Sequence, residues 1–215
     1  MLMYEKSLPF AHKLLSLKIQ GGRLLDVGGA ECALRVNMLS KNVDKAIILD
    51  IKEPTQELAE NVSFINLPVE ELAPEQGKFD HILLSNVLEH LKNPGVALKK
   101  CAEALADNGS IHILSPNCES LNRRIGTLMG ELSSIREITA KEAAIGHLHE
   151  FTVSDVKNMI AAAGLELSES RGIFLKPVPT QEMINWTEAR IQAFFDIAPQ
   201  IDPELCHEVY FRAIH

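Results

Sequence analysis

The first half of the chain alternates short apolar runs with longer stretches in which apolar residues recur at helical spacing. Short apolar runs that end at a glycine or a polar residue are typical of buried strands in a parallel sheet. Five such runs predict strands at 23–27, 46–49, 62–65, 79–84 and 110–114. Helical spacing predicts helices at 8–17, 31–40 and 94–105, the last ending at 107–109 because Gly109 suits a helix C-terminus. This alternation predicts an α/β domain with right-handed crossovers.

The last hundred residues continue the alternation less regularly. Thr152 and Asp155 form a capping-box pattern that predicts a helix start, and Gly164 ends that helix. Beyond it, we predict a strand at 165–170, a helix at 181–195 and a final strand at 208–214. The whole pattern predicts one Rossmann-like domain, with about seven mostly parallel strands, an antiparallel last strand and helices on both faces.

Composition narrows the class of protein. The 215 residues are 46% hydrophobic and 23% charged, with a net charge of −8 and four scattered cysteines. No apolar run reaches the roughly 18 residues that a membrane span needs, and the N-terminus lacks the layout of a signal peptide. Scattered cysteines without a CxxC pair predict reduced thiols and a cytoplasmic protein. Without a dense basic block, no nucleic-acid partner is expected.

A glycine turn follows the first predicted strand. Asp26 lies at the end of that strand, and Gly28 and Gly29 then allow a sharp turn and a close approach of a ligand. Asp50 ends the second strand at a spacing that suits binding of ribose hydroxyls. Ala30 and Ala33 occupy the positions where a dinucleotide fingerprint has glycine, which disfavours NAD. An acid at position 26 would repel a pyrophosphate but suits a cationic amino group, as in S-adenosylmethionine (SAM).

Five motifs occur in an order that points to one family. They lie at 25–28, 49–50, 79–91, 109–117 and 146–165. Over residues 22–170 the chain resembles class I SAM-dependent methyltransferases, especially the group that includes ubiquinone-biosynthesis O-methyltransferases. The resemblance implies the same Rossmann-like fold, with SAM as cofactor and S-adenosylhomocysteine (SAH) as its product.

The resemblance also implies roles for individual residues. Asp26 and the backbone of Gly28, Gly29 and Ala30 would hold the methionine part of SAM. Asp50 would bind the ribose. The adenine would lie against Ile51, Val69 and Glu70, and the floor would be completed by Ser85 and Asn86. The sequence departs from the family at Ala30 and Cys32, which replace two loop glycines, and 52–61 is short for the usual second helix.

Three histidines are candidate catalytic residues because imidazole titrates near neutral pH. His90 follows the fourth strand, and His147 and His149 precede the helix that starts after Thr152. Each also has a purely structural interpretation. A metal set of His147, His149 and Glu150 lacks a further ligand, so no metal is expected.

Residues 118–151 form a long connection that we predict to be a substrate-side lid. It would separate a cofactor-binding core, 21–117, and an N-terminal helix, 1–20, from the C-terminal part, 152–215. Its three arginines would either clamp an acidic acceptor or remain solvated: Arg123, Arg124 and Arg136. Tyr4 and Phe10 are weaker candidates for covering the cofactor.

The function predicted from these observations is methyl transfer to an oxygen, or else a nitrogen, of a small-molecule acceptor. The chain lacks the Asp/Asn-Pro-Pro-Tyr/Phe motif of nucleic-acid amino methylation and the Pro-Cys nucleophile of cytosine-carbon methylation. Alternatives are a non-catalytic SAM- or SAH-binding module with a degenerate glycine loop, an NAD-type oxidoreductase and a peptide or protein methyltransferase. The sequence leaves the acceptor and the oligomeric state open.

Overall fold

A seven-stranded sheet forms the centre of the protein. The computed structural model describes the backbone from residue 3 and the side chains from residue 11, so Tyr4 and Phe10 lie outside the described side chains. The strands are β1 (Arg23–Val27), β2 (Lys45–Asp50), β3 (Val62–Asn66), β4 (Phe79–Ser85), β5 (Leu105–Pro116), β6 (Glu166–Phe174) and β7 (Glu208–Ile214). Their order across the sheet is β3-β2-β1-β4-β5-β7-β6, and only β7 runs antiparallel to its neighbours. The predicted Rossmann-like α/β sheet is therefore confirmed.

Seven α-helices accompany these strands in the described residues. They are α1 (Met3–Lys18), α2 (Ala33–Leu39), α3 (Pro94–Ala104), α4 (Leu121–Leu128), α5 (Ala140–Ala144), α6 (Val153–Ala162) and α7 (Glu188–Ile197). One face of the sheet packs on α3 and α6, and the other packs on α1 and α2. Two buried apolar layers thus fix the strand ends on which a site can be built.

The capping box at the start of α6 forms as predicted. The Thr152 hydroxyl accepts a hydrogen bond from the Asp155 amide at 3.1 Å, and the Asp155 carboxylate accepts one from the Thr152 amide at 2.8 Å. Two backbone donors that the first helical turn leaves free are satisfied in this way.

Two sequence predictions are wrong. Residues 107–109 do not close α3 but lie inside β5, where the pairing with β4 shifts between Phe79 and His81. Gly109 does not have a positive φ; a Cβ there would come within 3.0 Å of the Asp80 carbonyl oxygen. The helix expected at 181–195 begins only at Glu188, since Met183 is buried and Ile184 is exposed in a turn.

The connection 118–151 contains α4, α5 and irregular backbone. It returns to the core through backbone hydrogen bonds from the amides of Leu148 and His149 to the Glu89 carbonyl, at 2.8 and 3.3 Å. We refer to residues 118–151 as the insert. These bonds place the end of the insert against the turn after β4.

A chain of buried polar groups crosses β4, β5 and β7. His112 is fully buried; its Nδ1 lies 2.8 Å from the Tyr210 hydroxyl, and its Nε2 lies 3.0 Å from Ser110 Oγ and 3.3 Å from His81 Nδ1. Burial lowers the pKa of His112 to about 3. The imidazole is therefore neutral in the folded protein throughout the neutral range.

This burial predicts a pH dependence of stability. Between about pH 6.5 and pH 3, His112 is protonated in the unfolded chain but neutral in the folded protein. The free energy of unfolding therefore falls as the pH drops through this range. One such group contributes at most about 1.4 kcal/mol per pH unit. Urea unfolding at a series of pH values checks this. In His112→Gln the slope of the free energy of unfolding against pH should decrease by the equivalent of up to one proton taken up on unfolding. Replacing the exposed His215 with glutamine should leave that slope unchanged. An equal slope in wild type and His112→Gln would contradict the prediction.

Candidate functional site

The carboxyl ends of β1, β2, β4 and β5 meet at one edge of the sheet, where α/β folds bind ligands. Gly28 follows β1 with φ +69°, and a Cβ there would lie 2.8 Å from a methyl group of Val87, which follows β4. A side chain at position 28 would therefore suffer both backbone strain and a clash. The sharp turn that the sequence predicts at Gly28 brings the backbone close to the end of β4.

The backbone after Gly28 forms a short 3₁₀ turn, Ala30–Cys32, that leads into α2. Asp50, at the end of β2, holds this turn: its carboxylate accepts hydrogen bonds from the amides of Ala30 and Lys52, each at 3.0 Å. Ala30 is buried in the core, so its methyl group replaces glycine by packing against apolar side chains. We refer to residues 28–32 as the glycine loop.

Asp26 lies in the interior of the protein, at the end of β1. Its carboxylate is 0% exposed and Arg35, on α2, is 2% exposed. One Arg35 Nη atom lies 2.9 Å from each carboxylate oxygen, and Arg35 Nε lies 3.2 Å from Oδ2. Burial raises the pKa of the Asp26 carboxyl, and the guanidinium opposes that effect. The side chain is thus an interior ion pair beneath the glycine loop.

The residues predicted to surround the adenine occupy the β2 side of the edge. Ile51 is 66% exposed directly after β2 and offers free apolar surface. Val69 is buried in the core, whereas Glu70 is half-buried beside it in a 3₁₀ turn. These positions suit one apolar contact from Ile51 and one polar contact from Glu70.

The end of β4 carries the other predicted floor residues. Ser85 is buried, and Asn86 adopts φ +54°, which is uncommon for a residue other than glycine. The Asn86 amide group donates a hydrogen bond to the buried carboxylate of Glu208 at 3.2 Å, and burial raises the pKa of Glu208. Asn86 is therefore held in a strained conformation by β7.

His90 and His147 come together at the mouth of this edge. Their rings meet edge to face with centroids 4.9 Å apart. The Glu150 carboxylate lies 3.0 Å from His147 Nδ1, and this hydrogen bond is the main cause that raises the pKa of His147. Burial lowers the pKa of His90. The two imidazoles thus differ in basicity, with His147 the stronger base.

Glu89 completes this cluster. Its side chain is 1% exposed, its Oε2 has no hydrogen-bond partner in the described residues, and burial raises its pKa to about 7. Donor atoms of Glu89, His90 and His147 all lie within 4.8 Å of one another. Two imidazoles and a carboxylate are donors that divalent transition metals accept. This set differs from the His147, His149 and Glu150 set weighed from the sequence.

His149 faces elsewhere. Its Nε2 lies 3.0 Å from the Leu91 carbonyl oxygen and its ring stacks on Phe151 at 5.5 Å. These contacts anchor the end of the insert, so the structure does not bring His149 to His90 and His147.

Comparison with known proteins decides the family. A family model described as "Methyltransferase domain" matches residues 3–170. The chain belongs to this family. The predicted class, a class I SAM-dependent methyltransferase, is thereby confirmed, and a solved SAM-dependent methyltransferase from Mesorhizobium loti shares the fold, with a TM-score of 0.63 at 14% identity over 95% of this chain and 96% of that one.

Two further proteins, one similar in sequence and one similar in structure, are an O-methyltransferase and an N-methyltransferase. Ubiquinone biosynthesis O-methyltransferase of Bordetella avium is 27% identical over 175 residues, covering 76% of this chain and 70% of its own. The 1,6-didemethyltoxoflavin-N1-methyltransferase of Burkholderia thailandensis has a TM-score of 0.59 at 19% identity, covering 94% of this chain and 77% of its own. Within the described residues, none of the methyltransferase's helices is long and apolar enough to cross a bilayer.

The three insert arginines of the methyltransferase are all paired with carboxylates, but only Arg123 is buried, whereas the side chains of Arg124 and Arg136 are 39% and 51% exposed. Arg123 is buried, with Nη1 2.6 Å from a Glu142 oxygen and 3.8 Å from a Glu150 oxygen. Arg136 pairs with Asp155 at 2.8 Å. Arg124 bonds to the Glu119 carbonyl at 2.5 Å.

Sequence reasoning missed Arg35, Glu89 and Glu208 as parts of the site, and it considered Arg123 and Glu150 only in other roles, as an acceptor clamp and as a metal ligand. Only Glu89 carried a usable signal, since it adjoins His90 in the motif after β4. The other four depend on partners brought together by the fold.

Proposed function

We propose that this methyltransferase transfers the methyl group of SAM to an oxygen, or else a nitrogen, of a small-molecule acceptor bound between the sheet edge and the insert. The observation that carries the proposal is the cluster of Glu89, His90 and His147 beside the glycine loop, at the edge where a ligand of this fold would lie. Oxygen comes first because the curated relatives are ubiquinone biosynthesis O-methyltransferases. Nitrogen stays open because the solved neighbours include an N-methyltransferase.

Several groups fit SAM at this edge. The backbone of Gly28, Gly29 and Ala30 would lie along its methionine part, because the turn at Gly28 leaves no side chain in the way. Asp50 is half-buried and retains acceptor capacity for the ribose hydroxyls beyond its two backbone bonds. The adenine would rest on Ile51 between Val69 and Glu70, with Ser85 and Asn86 below. When bound, SAM supplies an electrophilic methyl group.

Methyl transfer is an in-line displacement, so the protein contributes alignment, exclusion of water and proton removal. His147 is placed to accept the proton of an acceptor hydroxyl, and Glu150 would stabilise the imidazolium that results. His90 would orient the acceptor beside it. The insert covers this cluster and would keep water away from the reacting atoms.

A divalent cation on Glu89, His90 and His147 is a second way to activate the acceptor. It would lower the pKa of a bound hydroxyl directly, without a protein base. Glu89 Oε2, which has no hydrogen-bond partner in the described residues, favours the metal. The hydrogen bond between His147 and Glu150 is compatible with both a general base and a metal ligand, because metal-bound imidazoles also donate to carboxylates. The expectation of no metal, like those of no nucleic-acid partner and a cytoplasmic location, stays a prediction.

Binding experiments test the cofactor assignment. SAM and SAH should each raise the midpoint of thermal unfolding, whereas NAD and ATP should not; a ligand at 100 times its Kd stabilises the folded state by about 2.7 kcal/mol. Stabilisation by NAD alone would support an oxidoreductase instead. SAM binding without transfer to any fraction of a metabolite extract would support the non-catalytic module.

Asp50→Asn sharpens the same test. The amide can still accept from the Ala30 backbone but has lost the charge that binds two ribose hydroxyls, so SAH affinity should fall about tenfold or more, as for a hydrogen bond to a charged group. Calorimetry measures this, with Glu53→Gln as an exposed control that loses the same charge three residues away. Unchanged affinity in Asp50→Asn would remove this residue from the ribose site.

A further inference from the structure

The carboxylate of Asp26 is fully buried and is paired with a guanidinium. Both of its oxygens are within 2.9 Å of an Arg35 nitrogen, and neither side chain reaches solvent. An amine can only be recognised by an acceptor that it can approach, and this carboxylate is 0% exposed and already accepts hydrogen bonds from a guanidinium. The resemblance, by contrast, assigns Asp26 to the methionine end of SAM.

The pair instead lies directly under the glycine loop. A Cβ at Gly29 would come within 2.8 Å of Asp26 Oδ2, so the backbone of the loop rests on this carboxylate. On its other side, the loop amide at Ala30 is held by Asp50. The carboxylates of Asp26 and Asp50 therefore contact the loop from two sides, and Arg35 neutralises the buried carboxylate of Asp26.

Helix α1 packs near the Asp26–Arg35 pair. His12, on α1, is buried near Arg35. Burial is the main cause that lowers the pKa of His12, and the charge of the Arg35 guanidinium lowers it further. The Arg35 side chain thus extends from α2 to Asp26 at the end of β1 and lies near His12 on α1. A buried charge at this depth persists only with a partner of opposite charge.

We propose that Asp26 and Arg35 together are positioning residues for SAM, which set the shape of the glycine loop from below, and that Asp26 makes no contact with the amine of the cofactor. In this chain an ion pair braces a loop in which Ala30 and Cys32 replace glycines. The inference rests on the proposed function, because it assigns how the SAM site of that function is built.

The experiment compares two ligands that differ at the methionine end. SAH carries the amino acid, whereas 5′-methylthioadenosine has the same nucleoside and thioether without it. We measure both dissociation constants by calorimetry for wild type, Asp26→Asn, Arg35→Gln and the double variant Asp26→Asn/Arg35→Gln. Arg23→Met is the control, since Arg23 bonds to the Gln76 and Lys78 carbonyls at the opposite edge of the sheet.

If the pair positions the loop, each single variant should weaken SAH by about tenfold or more and 5′-methylthioadenosine less, because the loop lies along the methionine part of the cofactor. The uncharged double variant should recover a large part of that loss, and kcat at saturating SAM should stay within about twofold of wild type. Arg23→Met should leave both affinities unchanged. If a single variant fails to fold, the double variant, which removes both charges of the pair, is measured in its place.

Two results would overturn the inference. SAH binding that is weakened equally in Asp26→Asn and in the double variant, but not in Arg35→Gln, would place the carboxylate at the amine. Wild-type affinity for both ligands in every variant would show that the pair does not shape the loop. Failure of the wild-type protein to bind SAH or SAM would instead reject the proposed function, so the two failures are distinguishable.

Discussion

Replacing His147 with glutamine is expected to lower kcat by about 10²- to 10³-fold while SAM affinity stays unchanged, within the range that general acid–base catalysis contributes. His147 and Glu150 lie within 3.0 Å of each other, and this bond raises the pKa of the imidazole. Glutamine retains a hydrogen-bonding amide but cannot take up a proton. Steady-state turnover with a methyl-accepting fraction, alongside SAH calorimetry, measures both quantities.

His149→Gln is the matched control for that prediction. His149 bonds to the Leu91 carbonyl rather than facing His90, so its loss should change kcat by only a few fold. Equal turnover in His147→Gln and wild type would contradict the assignment of His147. Dialysis against EDTA separates the two roles of this residue: activity that is lost and then restored by Mn²⁺, Mg²⁺ or Zn²⁺ indicates a metal ligand, and unaffected activity indicates a base.

Arg123→Met should destabilise the folded protein by about 3–5 kcal/mol, as breaking a buried ion pair does. Arg123 bonds to the Ile135 carbonyl at 3.0 Å, pairs with Glu142 at 2.6 Å and approaches Glu150 at 3.8 Å. The insert therefore folds around this one guanidinium. Its loss would also remove a guanidinium from beside Glu150, the hydrogen-bond partner of His147, so kcat should fall together with stability. Urea unfolding and turnover measure the two effects.

Arg124→Met is the control for the insert. Its side chain is 39% exposed, and its ion pairs with Glu119 and Glu204 are 3.4 and 3.7 Å long, so less than about 1 kcal/mol should be lost. Limited proteolysis adds a local measurement, because 118–151 should become the first cleaved segment in Arg123→Met but not in Arg124→Met. A stable, protease-resistant Arg123→Met protein would show that the insert does not depend on the buried arginine.

The strands could be predicted closely because each is an apolar run with a polar or glycine boundary. The two failures have physical causes. Gly109 suits a helix end in isolation, but it lies where β5 passes close to the Asp80 carbonyl, a contact between strands that no local pattern reveals. Around Met183 and Ile184, apolar spacing resembled a helix, yet Met183 alone packs inward with Ile191 and Phe195.

The site could be predicted where backbone geometry creates it. The glycine turn and Asp50 lie at strand ends, and strand ends meet in any parallel sheet. The role of Asp26 stays a prediction, but Arg35, which holds it, comes from a helix whose direction the sequence does not specify. Glu150 likewise acquires its importance only when the insert returns to Glu89. Such pairings depend on the fold and not on spacing along the chain.

The position of β7 has a consequence for how the protein is made. This strand is the last of the seven to be synthesised, yet it lies inside the sheet, between β5 and β6. Until residues 208–214 have left the ribosome, β5 has an open edge and β6 has no neighbour on which to pair. Glu208, which holds Asn86, arrives with the same strand. The ligand edge therefore becomes complete only after β7 has been translated, and a nascent chain stalled before β7 is expected to expose two unpaired strand edges to other chains.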